Sequence, residues 1–394
     1  MKLVDLPRPI PLSLYEETRE VVRKTYAKIP GVVDVIEYGT IPHPGISDMD
    51  FIVVIEPGAH VDIPSLRTYT EDQQYAMSHT HFVISSTALP HIRLLDPFIV
   101  NFTPLLGRTN YTIDTIEPLS DEELRAFALE YPFVSWILPW LKFFAEVECL
   151  QELPCRYFLE GIKLLPYCFR ELHRAGLIDQ PVDKNADCFR SLASEWFDLP
   201  ENDLLDRVHE ALEKNRESIK LYLKILSKGL KAAHHSHSII YNFDSDVYIF
   251  EKDRTEVDID FTQTHSPFTS QTYTRVIHKI PIEFSAPLNR LLFEAGHVPD
   301  FVRSKITTNL TDLPVITHPI LEKRTQLINQ TIDDVKHVRG GKLLGQTYGY
   351  RIHARPDGGS IRAKIGGMYD RLMERYAGTP FGGILKHKHL HVTL

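Results

Sequence analysis

Cysteine is scarce in this chain: four in 394 residues, at Cys149, Cys155, Cys168 and Cys188, and no two form a Cys-x-x-Cys pair. A disulfide framework is denser and more evenly spread, so buried thiols in a reducing compartment are expected instead. Long uninterrupted apolar runs are missing too. The start, Met1-Lys2-Leu3-Val4-Asp5-Leu6-Pro7-Arg8-Pro9, lacks the apolar stretch of a secretory signal. The most membrane-like segment, Tyr131 to Leu150, is broken by Pro132, Pro139, Lys142, Glu146 and Glu148, which argues against a spanning helix. A soluble, cytoplasmic protein with no membrane partner is the expectation. Gly340, Gly341, Gly345 and Gly349 match neither a Walker loop nor a dinucleotide fingerprint, and no Gly-x-Ser-x-Gly elbow occurs. Turn chemistry is the reading for those glycines.

What is present is an ordinary globular mixture, 43% hydrophobic, 24% charged and 10% aromatic, in a chain long enough for two or three domains. The net charge of −8 is unevenly spread. From Lys336 onward there are 11 Lys and Arg against 3 Asp and Glu, on a body that is otherwise acidic. Such a segment can meet phosphate-rich partners or dock on the body. Docking is favoured by the apolar residues it carries, among them Ile361, Ile365, Met368, Tyr369, Leu372, Tyr376 and Phe381.

Periodicity divides the chain further. Residues 13–28 read as a helix stopped by Pro30-Gly31, Val32 to Glu37 as a strand, and Phe51 to Ile55 as a strand buried on both faces. A short helix is expected at Glu71 to Met77, and strand material at His81 to Ser85 and Ile92 to Phe102. Residues 1–115 are therefore predicted as a small mixed-sheet domain. From Ser120, followed by three acids, helical patterns broken near Pro154, Pro181 and Pro200 predict a domain of four to six helices over 116–237. Over 238–335, Ser238 to Phe250 and Glu256 to Thr262 read as a hairpin around Lys252-Asp253-Arg254. Helical pieces near Leu288 to Ala295 and Pro319 to Val338 follow. Residues 336–394 form the basic, glycine-rich end. The fold class is α+β: a small mixed-sheet domain, an α-helical domain and a mixed α/β C-terminal region.

The chemistry centres on Asp48 and Asp50, one residue apart at the start of the apolar strand. Alternate strand residues face the same side, so both carboxylates share one rigid edge. Hard oxygen ligands of this kind suit Mg²⁺ or Mn²⁺ together with substrate phosphates. Upstream, Gly39-Thr40 opens a tight loop in which backbone N–H groups and a hydroxyl can cradle a phosphate, and Ser47 closes the spacer. Sugar-nucleotide glycosyltransferases and haloacid-dehalogenase-type phosphatases carry Asp-x-Asp after an apolar strand. Here the strand follows the pair, which argues against both.

Tyr38, Gly39, Thr40, the seven residues Ile41 to Ser47, and Asp48-Met49-Asp50-Phe51 resemble the DNA polymerase β-like nucleotidyltransferase superfamily. Its pattern is an apolar residue, Gly, then Gly or Ser, a spacer, and Asp-apolar-Asp/Glu-apolar. The resemblance spans about residues 13 to 105. It implies a metal-dependent enzyme that transfers a nucleoside monophosphate from an NTP to an acceptor, which is a small molecule, a protein or a nucleic acid. It further implies metal ligation by Asp48 and Asp50, triphosphate binding by Gly39, Thr40 and Ser47, and a third carboxylate on a later strand. Thr40 stands where the family has a second Gly or Ser. For the third carboxylate the candidates are Asp96, next to Pro97, and the position of Asn101, which cannot serve as an anionic base. Asp96 is taken as the catalytic one. With Asn101 in that role, the chain would instead be a catalytically reduced nucleotide-binding or regulatory module, with nucleic acid as a partner of the basic end.

Lesser candidates are expected to be structural. Asp244 and Asp246, with Asp258 and Asp260, read as an acidic hairpin face. The histidines at 234, 235 and 237 and at 387, 389 and 391 lack the spacing of a zinc site. Lys163 and Arg170, seven apart on a helix, read as solvated or ion-paired, with triphosphate contact as the alternative.

Overall fold

The computed structural model describes residues 1–181, 184–230, 239–243, 246–251, 254, 257–265, 272–284, 319–345 and 387–393. Helix α1 (Leu12–Tyr26) buries Tyr15, Thr18, Val22 and Tyr26, a face repeating every three to four residues. Gly31, with φ of +81°, then turns the chain into strand β2 (Val32–Tyr38). Strand β3 (Asp50–Ile55) pairs antiparallel with β2, and Phe51 to Ile55 are wholly buried, as their unbroken apolar run predicts. Helix α2 (Glu71–Met77) starts from a capping box between Thr70 and Gln73 and leads to β4 (Phe82–Ser85), parallel to β3.

Residues 92–102, expected as strand, are not one strand. Pro90 has no N–H for a ladder and suits a first helical turn. The chain forms a 3₁₀ turn over Leu89–His91 and then the short helix α3 (Ile92–Leu95). Ile92 and Leu95, three apart, are its buried face. Only Phe102–Pro104 (β5) joins the sheet, antiparallel to β2.

The expected division at residue 115 omits a returning segment. Helix α10 (Pro319–Asp334) and strand β11 (Lys342–Leu343) pack onto this same unit: Leu327, Ile328, Ile332, Val335, Leu343 and Leu344 share one core with β3 and α1. The mixed sheet is ordered β11-β4-β3-β2-β5, with β11 parallel to β4.

Between them lies the helical unit. Helix α4 (Asp121–Ala128) opens on a capping box of Ser120 and Glu123. A π-helical turn (Phe133–Ile137) runs into α5 (Leu138–Leu150). Then come β6 (Glu152–Pro154), α6 (Cys155–Ile162), α7 (Leu164–Arg174), α8 (Ala186–Glu195) and the long α9 (Glu201–Gly229). Among the described residues this region holds six helices, where four to six were expected. Strand β1 (Lys2–Val4) pairs parallel with β6 and ties the N-terminus to this unit. Cys155 and Cys168 are buried thiols and Cys188 is a half-buried one, none of the three in a disulfide.

A second sheet is ordered β12-β9-β10-β8-β7, from β7 (Ile239–Phe243), β8 (Asp246–Glu251), β9 (Asp258–His265), β10 (Thr272–Pro281) and β12 (His387–Thr393). The expected hairpin is displaced. Asp and Ser, which favour turns, separate β7 from β8 as an antiparallel pair, while β8 pairs parallel with β10 and β9 lies between β10 and β12. Val257, Ile280 and Phe284 join the helical core. No helix among the described residues is long and apolar enough to cross a membrane. His234, His235, His237, Asp244, Gly349, residues 288–295 and most of the basic end lie outside the described residues.

Candidate functional site

The aspartates are held by the loop before them, and two tyrosines hold that loop. Tyr15 Oη donates to the Ser47 carbonyl (2.8 Å) and accepts from the Gly45 N–H (3.0 Å). Tyr75 Oη donates to the Gly45 carbonyl (2.7 Å) and accepts from the Arg8 N–H (2.9 Å). Gly45 has φ of +88°, and a Cβ there would lie 2.3 Å from the Arg8 carbonyl oxygen, so only glycine fits. Ser47 Oγ accepts from the His43 N–H (3.2 Å), which makes it a brace of the loop. The Met49 N–H then bonds the Ala76 carbonyl (2.9 Å), and the Met49 side chain enters the core. By strand alternation Asp48 and Asp50 point the other way, together. Gly39, at φ of +86°, turns directly beside them, with its Cβ direction 3.8 Å from Asp50 Oδ2. Asn101 Nδ2 donates to the Gly39 carbonyl (3.3 Å). Asn101 therefore supports the glycine turn and precedes β5; it is not among the residues lining the acidic cavity.

A third ligand-type group comes from the α2–β4 connection. Ser78 ends α2 at φ of +52°, an uncommon conformation for a residue with a side chain, and its Oγ donates to Asp48 Oδ2 (2.5 Å). His79 follows. Its Nε2 lies 2.7 Å from Asp50 Oδ1 and 3.9 Å from Asp48 Oδ2, and its Nδ1 lies 2.8 Å from the Thr80 carbonyl oxygen. Burial lowers the His79 pKa, but the hydrogen bond and charge of Asp50, the Thr80 carbonyl and Asp48 outweigh it, and the net shift is upward. One ligand atom from each of Asp48, Asp50 and His79 lies within 4.8 Å of the others. Sequence reasoning passed over His79 because nothing local marks it; only the parallel pairing of β3 and β4 brings it beside the aspartates.

Asp48 and Asp50 open onto a cavity of about 590 Å³ between the mixed sheet and the helical unit. Gly39, Thr40, Ser47, Asp48, Asp50 and Asp96 all line it, so the residues singled out from sequence converge on one space. Asp96 sits at the C-terminal end of α3 and accepts from the Phe98 N–H (3.3 Å). Burial pushes its carboxyl up to about 6. The Phe98 N–H and Arg324 oppose that rise, Asp50 adds to it, and Arg93 opposes it again. Asp96 does not belong to the three-residue ligand group.

The facing wall comes from α6, α7 and α8. Lys163, Arg170 and Arg190 line it. Arg170 is ion-paired with Glu171 (2.8 Å) and lies 5.0 Å over the Tyr167 ring. Glu160 also faces the cavity; burial and then Asp48 raise its carboxyl to about 7, against Arg156, Lys163 and His79. One end is aromatic: Phe98 lies 5.6 Å from Tyr131 and 5.7 Å from Trp136, and Trp136 lies 6.4 Å from Tyr167. Trp136 rides on the π-helical turn, where Leu138 N–H bonds Phe133 carbonyl and Pro139 has no N–H to offer Ser135.

The second Asp-x-Asp does not join this site. Asp258 pairs with Arg254, and Asp260 Oδ2 lies 2.7 Å from Lys279 Nζ, both in the second sheet. His387, His389 and His391 fall on strand β12, and Asp246 begins β8. Comparisons with protein-family models, with curated proteins and with solved structures return no match.

Proposed function

We propose that the chain is a divalent-metal-dependent nucleotidyltransferase that moves a nucleoside monophosphate from an NTP to a hydroxyl- or phosphate-bearing acceptor. The observation that carries this reading is the convergence of Gly39, Thr40, Asp48 and Asp50 on one cavity that Lys163 and Arg170 face from the other side. Anion-binding backbone, paired carboxylates and opposed cations are the parts that phosphoryl displacement needs. The layout, with a small mixed sheet carrying the aspartates and helices closing the cavity, supports it as well.

Asp48 and Asp50 would hold Mg²⁺ or Mn²⁺, which would supply neutralisation of the triphosphate charge and Lewis-acid polarisation of the reacting phosphoryl group. The Gly39 and Thr40 backbone and the Thr40 hydroxyl bind the triphosphate. Lys163 and Arg170 draw its oxygens across the cavity. Phe98, Tyr131 and Trp136 offer faces for a planar base. The acceptor oxygen bonds to the α-phosphorus as the bond to pyrophosphate breaks, and Asp96 takes the acceptor proton. A carboxyl titrating near 6 is suited to that role.

Incubation with each labelled NTP, Mg²⁺ or Mn²⁺ and a cell extract tests the proposal. Label should appear on one acceptor class, and Asp48→Asn or Asp50→Asn should lower the rate by about 10²-fold or more. A variant that transfers as fast as the parent overturns it. One observation favours a second reading, a nucleotide-binding module without turnover: Asp96 stands outside the ligand group. Calorimetry separates the two, because the module binds NTP with Mg²⁺ and releases no pyrophosphate over long incubation.

A further inference from the structure

We propose that His79 Nε2 is a direct ligand beside Asp48 and Asp50, and that this centre takes Mn²⁺ or a similar transition-metal dication in preference to Mg²⁺. The inference rests on the metal-dependent reading of the site above and deepens it.

The tautomer is the first argument. A carbonyl oxygen can only accept, so the 2.8 Å contact to Thr80 places the hydrogen on Nδ1. Nε2 faces Asp50 Oδ1 and Asp48 Oδ2, and an ion bound among these atoms would take the place of its hydrogen while Nδ1 keeps its own. A ring whose far nitrogen donates to a backbone carbonyl is how proteins orient a metal-binding histidine and sharpen its basicity. The Phe82 ring, 5.1 Å away and edge-on, braces the imidazole from the side.

Spacing is the second argument. Around a six-coordinate ion with bonds of about 2.1 Å, adjacent ligand atoms stand about 3 Å apart and opposite ones about 4.2 Å. The His79 nitrogen stands 2.7 Å from one carboxylate oxygen and 3.9 Å from the other. The Asp50–His79 contact needs to open by a few tenths of an ångström to match an adjacent pair, and the Asp48–His79 separation falls between the adjacent and opposite values. Asp48 is steadied by Ser78 Oγ, itself held at a positive φ at the end of α2. That is a supporting contact to a ligand, located where backbone strain has a use.

Ligand type is the third argument. Mg²⁺ favours oxygen donors and retains its waters, whereas imidazole suits Mn²⁺ less than later metals but far better than it suits Mg²⁺. Two carboxylates with one imidazole is thus a transition-metal donor set in a place where two carboxylates alone would suit Mg²⁺.

The test uses the full-length protein and Mn²⁺ as the probe. The free-ion electron paramagnetic resonance signal gives Mn²⁺ affinity, with Mg²⁺ as competitor. Electron spin echo modulation of the bound ion reports ¹⁴N from a coordinated ring. The expected result is ¹⁴N coupling in the parent protein, Mn²⁺ bound at least about 10-fold tighter than Mg²⁺, and His79→Asn losing the coupling with about 10- to 100-fold of Mn²⁺ affinity. Bound Mn²⁺ without ¹⁴N coupling, equal Mn²⁺ and Mg²⁺ affinity, or no Mn²⁺ binding in the parent overturns the proposal. The coupling is read on the parent protein, so a poorly folded His79→Asn leaves the test intact. Coordinated nitrogen without nucleotidyl transfer counts against the functional reading alone; transfer without coordinated nitrogen counts against this inference alone.

Discussion

Two histidines two residues apart in the α2–β4 connection do opposite work. His79 faces the aspartates, while His81 is sealed in the core with Tyr26 Oη donating to its Nδ1 (2.5 Å) and Nε2 facing Met77 Sδ at 3.4 Å. Burial, reinforced by the nearby His79, depresses the His81 pKa to about 3. The folded state therefore resists a proton that the unfolded chain accepts near 6.5. The stability linked to His81 is fully present above pH 6.5 and is lost as pH falls from there toward 3. Between pH 7.5 and 5 the expected loss is about 2 kcal/mol. His81→Gln keeps an acceptor for Tyr26 and should flatten that slope in urea titrations at the two pH values. An unchanged slope would remove His81 as its source.

Elements were legible where local signals agree. α2 spans Glu71–Met77 as expected, with a Thr70–Gln73 capping box at its start, and β3 follows its unbroken apolar run. Ser120 followed by Glu123 announces α4, and the structure shows both halves of that capping box. Ser120→Ala should cost about 1 kcal/mol in chemical denaturation, since the Glu123 backbone N–H loses its partner. Glu123→Ala alone should cost less, because the Ser120 hydroxyl remains; the reverse order would contradict the cap geometry. Residues 92–102 were not legible, because Ile92, Leu94, Phe98, Val100 and Phe102 alternate as in a strand while Ile92, Leu95 and Ile99 keep helical spacing, and Pro90 decides for helix. The candidate site divides the same way. Gly39, Thr40, Asp48 and Asp50 are contiguous enough to be seen in sequence, whereas His79 comes beside the aspartates, and Glu160 and the aromatic wall reach the cavity, through pairing and packing of distant segments.

The molecule as a whole is closed by a residue no local pattern marks. Arg324, on α10, is almost fully buried. Its guanidinium donates to the carbonyls of Leu94 (2.7 Å), Leu95 (2.8 Å) and Gly345 (2.6 Å), and lies 5.3 Å over the Tyr131 ring. One planar fork therefore ties α3, the returning segment and the aromatic wall of the cavity together, across more than two hundred residues of chain. A lysine keeps the charge but presents a single point donor that cannot span three carbonyls, so Arg324→Lys leaves at least one buried acceptor unpaired. The expected cost is about 2–3 kcal/mol in denaturant titrations. Because α3 ends at Asp96 and Tyr131 lines the cavity, NTP affinity should fall as well. Arg170→Lys is the control. Arg170 is part-exposed and its buried partner Glu171 keeps Arg174, so Arg170→Lys should weaken NTP binding while costing less stability than Arg324→Lys. If Arg324→Lys lowers stability but leaves NTP affinity at the parent value, the cavity does not depend on this closure, and α10 serves the sheet alone.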